Sequence, residues 1–168
     1  MASFVLIHGS WHGGWCFDLV ARKLRAAGHH VVAPDLPGMD GSEEALAAVT
    51  LDQWAEFAAQ HCCSMKSEFG GPVVLAGHSR GGIVVSQAAE LAPDCADALV
   101  YICAMMLPDG FSRAVFKEHE VPNPAFDALI AKTPSGAGTI ITGEDPGAVF
   151  AQLSPPELVA KAMARLVA

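Results

Sequence analysis

The sequence lacks any long hydrophobic run. Its longest uninterrupted apolar stretch, residues 98–107, has about half of the roughly 20 residues that a bilayer-spanning helix needs. Nevertheless, 52% of the 168 residues are hydrophobic and only 17% are charged. We therefore expect one compact unit with a substantial core and no membrane partner.

Basic side chains are also scarce. Lysine and arginine number 10 against 18 aspartates and glutamates, which gives a formal charge of -8, and the basic residues form no cluster. This pattern argues against nucleic acid or an anionic membrane surface as a partner. No basic leader precedes the first apolar run, residues 4–7, so the sequence predicts a cytoplasmic protein.

The cysteines show no pattern typical of metal binding. The five residues form neither a CxxC pair nor any other metal-ligand spacing, so we expect no metal site. An odd number without a secretion signal is typical of free, packed thiols. The sequence predicts five such thiols: Cys16, Cys62, Cys63, Cys95 and Cys103.

Short apolar runs alternate with segments of helical periodicity along the first 107 residues. This alternation predicts parallel strands with helices on both faces, an α/β fold. One helix start is especially clear, since Thr50 and Gln53 in "TLDQ" form a capping box. The strands are expected at residues 4–7, in "HHVVAP" ending at Pro34, at residues 71–77 and at residues 98–105, and the helices near 14–27, 51–65 and 83–91.

The composition changes after Leu107. Residues 108–154 are rich in proline, glycine and alanine, and we interpret residues 1–107 as a core and 108–168 as a cap over the strand ends. The last segment predicts a helix capped by Ser154. No stop signal precedes Ala168, so the chain is expected to end inside this helix, as a truncated protein would.

The stretch "GHSRGG", residues 77–82, lies between a predicted strand and a predicted helix. It matches G-x-S-x-G, the nucleophile elbow, in which a sharp strand-to-helix turn lifts the serine hydroxyl above the sheet. Small residues are needed beside such a turn because it leaves no room for side chains. The pattern predicts Ser79 as a nucleophile. The alternative is a serine with a purely structural role in a tight turn.

A second glycine-rich stretch, "HGSWHGG", follows the first strand. Acyl transfer needs two amide donors for the oxyanion of the tetrahedral intermediate. If the first and third strands are neighbours, the amides of Ser10 and Arg80 face the same point. We therefore predict these two amides as the oxyanion hole.

Five motifs in this order resemble the α/β-hydrolase family: "FVLIHGSWHGGWCF", "VVAPDLPGMDG", "TLDQWAEF", "VVLAGHSRGG" and "ALVYICAMMLPDG". The closest likeness is to the small single-domain branch that holds plant methylesterases, hydroxynitrile lyases and bacterial relatives. The resemblance implies four strands ordered second-first-third-fourth, a cap and no cofactor. It also implies Ser79 as nucleophile, with Trp11 and His12 lining a pocket for a small ester.

The residue at position 9 distinguishes the esterases of that branch from the lyases. The lyases carry threonine at the position after the strand histidine, whereas this chain has Gly9, as the esterases do. The resemblance therefore favours ester hydrolysis through an acyl-Ser79 intermediate. A hydroxynitrile-lyase-like reaction and a non-catalytic ligand-binding protein remain the alternatives.

The resemblance also implies an acid and a histidine on loops after two further strands, and this sequence stops before either. Candidate substitutes are Asp109 after the fourth strand, His119 in the cap and His12 near the pocket, while His8 is expected to fix its loop. Absent strands would expose a sheet edge. We therefore expect a homodimer or pairing with a missing C-terminal segment.

Overall fold

A computed structural model describes residues 1–143 and 145–168. Four parallel strands form the main sheet in the order β2-β1-β3-β4, which confirms the predicted topology. At its centre Val5 pairs with Val32 on one side and Leu75 on the other. The strands are β1 (Ser3–Ile7), β2 (His30–Val32), β3 (Val73–His78) and β4 (Ala98–Ile102).

Helices cover both faces of this sheet, as predicted. Val5 and Ile7 of β1 pack in the larger core, whereas the intervening Leu6 packs in a smaller core on the opposite face. Helices α3 (Leu51–Phe69) and α4 (Gly81–Leu91) cover the first face and α1 (Asp18–Ala26) covers the second. The helices are α1 (Asp18–Ala26), preceded by a 3-10 turn (Gly14–Phe17), α2 (Glu43–Ala48), α3 (Leu51–Phe69) and α4 (Gly81–Leu91).

The start of α3 confirms the predicted capping box. The Thr50 hydroxyl accepts the Gln53 N–H at 3.2 Å, and the Gln53 side chain accepts the Thr50 N–H at 2.8 Å. These reciprocal bonds satisfy backbone donors that the first turn of a helix leaves unpaired. The helix then presents alanines and Cys62 to the core at helical spacing.

Residues 108–168 contain short elements, and two predictions about the last helix were wrong. That helix begins at Pro156 rather than after a Ser154 cap, and it ends at Met163. Tertiary contacts replace helical bonds beyond it, since the Val167 N–H donates to the Trp11 carbonyl at 2.9 Å. The elements are α5 (Arg113–Lys117), α6 (Pro124–Asp127), β5 (Ile130–Lys132), β6 (Thr139–Ile141), α7 (Gly147–Phe150) and α8 (Pro156–Met163).

The prediction of five free thiols was also wrong, because Cys63 and Cys95 form a disulfide. The bridge joins α3 to the loop before β4, with 4.7 Å between the two Cα atoms. Sequence spacing did not indicate this pair because the two residues are 32 positions apart and meet only in the fold. Closing a loop of this length stabilises a folded chain by about 3–4 kcal/mol on the chain-entropy estimate.

Strand β4 forms one edge of the sheet and pairs only with β3 in the part of the chain that the structure describes. Its Leu99, Val100 and Ile102 are 38–41% exposed, unlike the buried residues of β1 and β3. The predicted open edge is therefore present. Within the described ranges, no helix combines the length and hydropathy that crossing a membrane requires.

Candidate active site

Ser79 lies at the sharp turn between β3 and α4. Its φ of 53° falls in the left-handed region, which is unfavourable for a residue other than glycine. Three backbone bonds hold it there: its N–H donates to Ile102, and its carbonyl accepts from Gly82 and Met105. The surrounding structure thus imposes a strained conformation, which is typical of functional sites.

The glycines beside Ser79 are required by close backbone approaches. A Cβ atom on Gly77 would lie 2.5 Å from the Gly81 carbonyl oxygen. One on Gly81 would lie 2.6 Å from the carbonyl oxygen of Ile7, on the neighbouring β1. Any larger side chain would therefore push β1, β3 and α4 apart at the point where they hold the serine turn.

The loop after β1 packs directly against this turn. A Cβ atom on Gly9 would lie 2.8 Å from the Ser79 Cβ and 3.1 Å from the His78 carbonyl oxygen. The amides of Ser10 and Arg80 donate no hydrogen bond to any described residue, so both N–H groups are free to bind a ligand. The loop after β1 and the serine turn are thus adjacent, as their order in the sheet requires.

His8 fixes the position of this loop, as expected from the sequence. Its Nδ1–H donates to the Gly9 carbonyl and its Nε2 accepts the Leu36 N–H, both at 2.9 Å. This pair of bonds selects one neutral tautomer. Burial, the largest cause, lowers the pKa of the fully buried His8 below the ordinary value of 6.5.

The stability of the protein is expected to fall as the pH drops below about 6.5. Burial lowers the pKa of His8, His61 and His78, so the unfolded chain takes up protons first and unfolding becomes more favourable in acid. Urea denaturation from pH 7.5 to 5.0 measures this slope. We expect a shallower slope for His8→Gln than for the wild type; equal slopes for the two proteins would contradict the assignment.

A cavity of about 330 Å³ lies beside the serine turn. Ser10, Trp11 and Arg80 line one side, α2 and α3 contribute Leu46 and Trp54, and residues of the β5–β6 hairpin close it. Ser79 itself does not line this cavity, although Arg80 is its chain neighbour and Ser10 follows Gly9. Its volume falls within the usual range for small-molecule sites.

Comparison with known proteins identifies the family. The model of the alpha/beta hydrolase family matches residues 4–168, almost the whole chain. The chain belongs to this family. The sequence resemblance is therefore confirmed, together with the sheet topology that it implied.

Similar proteins include several hydrolases. The chain is 34% identical over 164 residues to methyl jasmonate esterase 1 of Vitis vinifera, covering 92% of this chain and 61% of that protein. It is 37% identical over 122 residues to a carbendazim hydrolyzing esterase of Nocardioides sp. (strain SG-4G), covering 73% and 50%. The chain thus spans about half the length of the curated relatives that it matches.

Solved structures show the same fold. A pyrethroid hydrolase from Sphingobium faniae JZ-2 superimposes with a TM-score of 0.71 at 28% identity, over 84% of this chain and 56% of that one. A methylesterase from Arabidopsis gives a TM-score of 0.74 at 23% identity, over 99% and 66%. The second likeness concerns the fold alone.

No candidate base contacts Ser79 in the part of the chain that the structure describes. The Ser79 hydroxyl makes no hydrogen bond there, and both Asp109 and His119 are exposed. The His12 Nδ1 instead bonds to the Ser10 carbonyl at 2.7 Å, and its ring stacks on Trp15. No hydrogen bond therefore joins Ser79 to any of the three predicted substitutes.

Trp11 anchors the loop after β1 to the C-terminal segment. Its indole N–H donates to the Thr139 carbonyl at 2.9 Å, and its ring contacts Phe126 and Phe150 at centroid distances of 6.4 and 5.9 Å. Trp11 thus makes structural contacts with the C-terminal segment, and it also lines the cavity.

Two residues near the site were missed in the sequence. Asp35 follows β2 and accepts the Gly14 N–H at 2.7 Å, which fixes the end of the loop after β1. Its position after a parallel strand was a usable signal, because the carboxyl ends of such strands meet at one edge. Lys132 also lines the cavity, but its surroundings in the sequence carried no motif.

Among the described residues, no cluster of three metal-ligating side chains occurs.

Proposed function

We propose that this protein is a serine carboxylesterase that hydrolyses small carboxylic esters. Ser79 would attack the ester carbonyl, the alcohol would leave, and water would release the acid from the acyl-Ser79 intermediate. The amides of Ser10 and Arg80 would stabilise the oxyanion. The observation that carries the proposal is the strained Ser79 turn packed against Gly9, with both amides free.

The proton acceptor for Ser79 is not among the contacts of the described residues. Since the family resemblance implies an acid and a histidine after further strands, we propose that both lie outside these 168 residues. A serine hydroxyl without a base is a weak nucleophile. The 168-residue chain is then expected to react slowly, through its oxyanion hole and binding contacts alone.

We propose the division into a core, residues 1–107, and a cap, residues 108–168. Within the described part of the cap, only Thr133 and Gly147 are buried, so this segment has no hydrophobic core of its own. Its contacts with the loop after β1, through Trp11, support a role in covering the site.

The two alternative functions have less support. A lyase of the hydroxynitrile type would carry threonine where Gly9 stands, and Gly9 has no room for even a Cβ atom. A non-catalytic binding protein fits the absence of a base contact, but it does not explain a strained serine beside two free amides. The relatives named as esterases favour hydrolysis.

Addition of imidazole distinguishes these reactions. Imidazole supplies the missing base, so we expect it to raise p-nitrophenol release from p-nitrophenyl butyrate above the rate of imidazole without protein. Cyanide release from mandelonitrile under the same conditions is expected to stay at background. Cyanide release above background without ester hydrolysis would indicate a lyase. The absence of any protein-dependent reaction with either compound would indicate a binding protein.

The cytoplasmic location remains a prediction. The Cys63–Cys95 disulfide is of a kind that persists mainly in oxidising compartments. The small-molecule ester remains the expected partner, and homodimerisation remains a prediction.

A further inference from the structure

The side chain of Arg80 lines the cavity beside the serine turn. Its guanidinium lies 4.4 Å from the centre of the Trp54 ring, and one Nη–H contacts the Met39 sulfur at 3.3 Å. These partners hold the guanidinium plane in place but do not neutralise its charge.

The Arg80 charge has no counterion among the residues that the structure describes. Among the described residues, no carboxylate oxygen lies within 4 Å of its nitrogens, and its Nε is buried without a hydrogen-bond partner. Burial lowers the pKa of Arg80 to about 10, so the group is still cationic at neutral pH. A buried charge without a partner is costly, and in native structures it usually has a partner or serves a ligand.

The cavity next to Arg80 has the opposite electrostatic character from the rest of the chain. Its lining contains two cationic side chains, Arg80 and Lys132, and no aspartate or glutamate side chain; the one carboxylate that it includes is that of the terminal residue, Ala168. The protein as a whole carries a formal charge of -8, which would repel an anion elsewhere on its surface. The cavity is thus locally suited to a small anionic ligand.

We propose that this cavity binds esters carrying a second, ionised carboxyl group, and that the Arg80 guanidinium recognises this carboxylate. The inference rests on the proposed function, because it names the substrate class of the same site. The backbone N–H of Arg80 serves the oxyanion, whereas its side chain selects the substrate. A planar guanidinium suits this role since it offers paired donors that match the two oxygens of a carboxylate.

Binding of a matched pair of ligands tests this proposal without requiring turnover. Monomethyl adipate carries one carboxylate at neutral pH, whereas dimethyl adipate has the same chain and no charge. Calorimetric titration of the full chain is expected to give at least about tenfold tighter binding of monomethyl adipate, as expected for a charge-assisted hydrogen bond in a cavity. Equal binding of the two compounds, or binding of neither, would overturn the proposal.

Variants test whether Arg80 causes the preference for the charged ligand. We expect Arg80→Met to reduce the ratio of the two affinities about tenfold, and Lys132→Met to reduce it by less. Arg22→Met is the matched control, because Arg22 is an exposed arginine on α1 that does not line this cavity. Should Arg80→Met fail to fold, Arg80→Lys keeps the charge without the planar fork and is expected to reduce the ratio partly. A wild-type ratio in the folded Arg80 variants would overturn the assignment.

A fluorophosphonate probe applied to the same samples separates this inference from the proposed function. An adduct on Ser79 together with an unchanged affinity ratio in the Arg80 variants would refute carboxylate recognition and leave the esterase proposal standing. An Arg80-dependent ratio without any adduct, even in the presence of imidazole, would support carboxylate recognition and count against reaction at Ser79.

Discussion

Replacing Ser79 with alanine is expected to reduce the imidazole-assisted hydrolysis of p-nitrophenyl butyrate to the rate of imidazole alone. The variant lacks the oxygen that forms the acyl intermediate, whereas the free amides of the oxyanion hole remain. The fold is expected to persist because three backbone bonds, rather than the hydroxyl, hold this turn. Initial rates with and without each protein give the comparison.

Two other variants serve as controls for this result. Ser86→Ala removes a hydroxyl from α4 that bonds to Tyr101 at 2.8 Å, and it is expected to retain the wild-type rate. Ser79→Gly is expected to be as inactive as Ser79→Ala but more stable by about 1 kcal/mol, since glycine tolerates the positive φ. Wild-type hydrolysis by Ser79→Ala would show that another residue attacks the ester.

Replacing Gly9 with threonine is expected to damage both the site and the fold. Even the first side-chain atom would lie 2.8 Å from the Ser79 Cβ, so the loop after β1 must move away from the serine turn. We expect a loss of about 1–3 kcal/mol in the free energy of unfolding from overpacking. Misplacement of the Ser10 amide is expected to slow hydrolysis about 100-fold.

Gly9→Ala provides a graded comparison, because it adds only the Cβ atom. Urea denaturation and initial rates should rank wild type above Gly9→Ala and Gly9→Ala above Gly9→Thr. Cyanide release from mandelonitrile by Gly9→Thr, with its stability retained, would show that position 9 has room for threonine. That result would favour the lyase alternative.

The main sheet was predictable because its strands are short apolar runs separated by clear turns and helices. Their order followed from the family resemblance and is the observed one. The C-terminal segment was much less predictable. Its last helix ends at Met163 because contacts such as that between Val167 and Trp11 replace helical bonds, and no sequence signal marks this change.

The candidate site was predictable where motifs carry backbone constraints. The glycines around Ser79 have a steric reason that the motif already implies, whereas the close approach of Gly9 to Ser79 is visible only in the structure. The role of the Arg80 side chain was not predictable, since Trp54, Met39 and Lys132 meet it only in the fold. The Cys63–Cys95 bridge was missed for the same reason.

The intact mass of the 168-residue chain after treatment with a fluorophosphonate probe, with and without imidazole, tests the central claim most directly. We predict a single adduct that fragmentation places on Ser79, forming slowly by itself and faster with imidazole. An adduct on any other residue, or none even with imidazole, would contradict the assignment of Ser79 as the nucleophile.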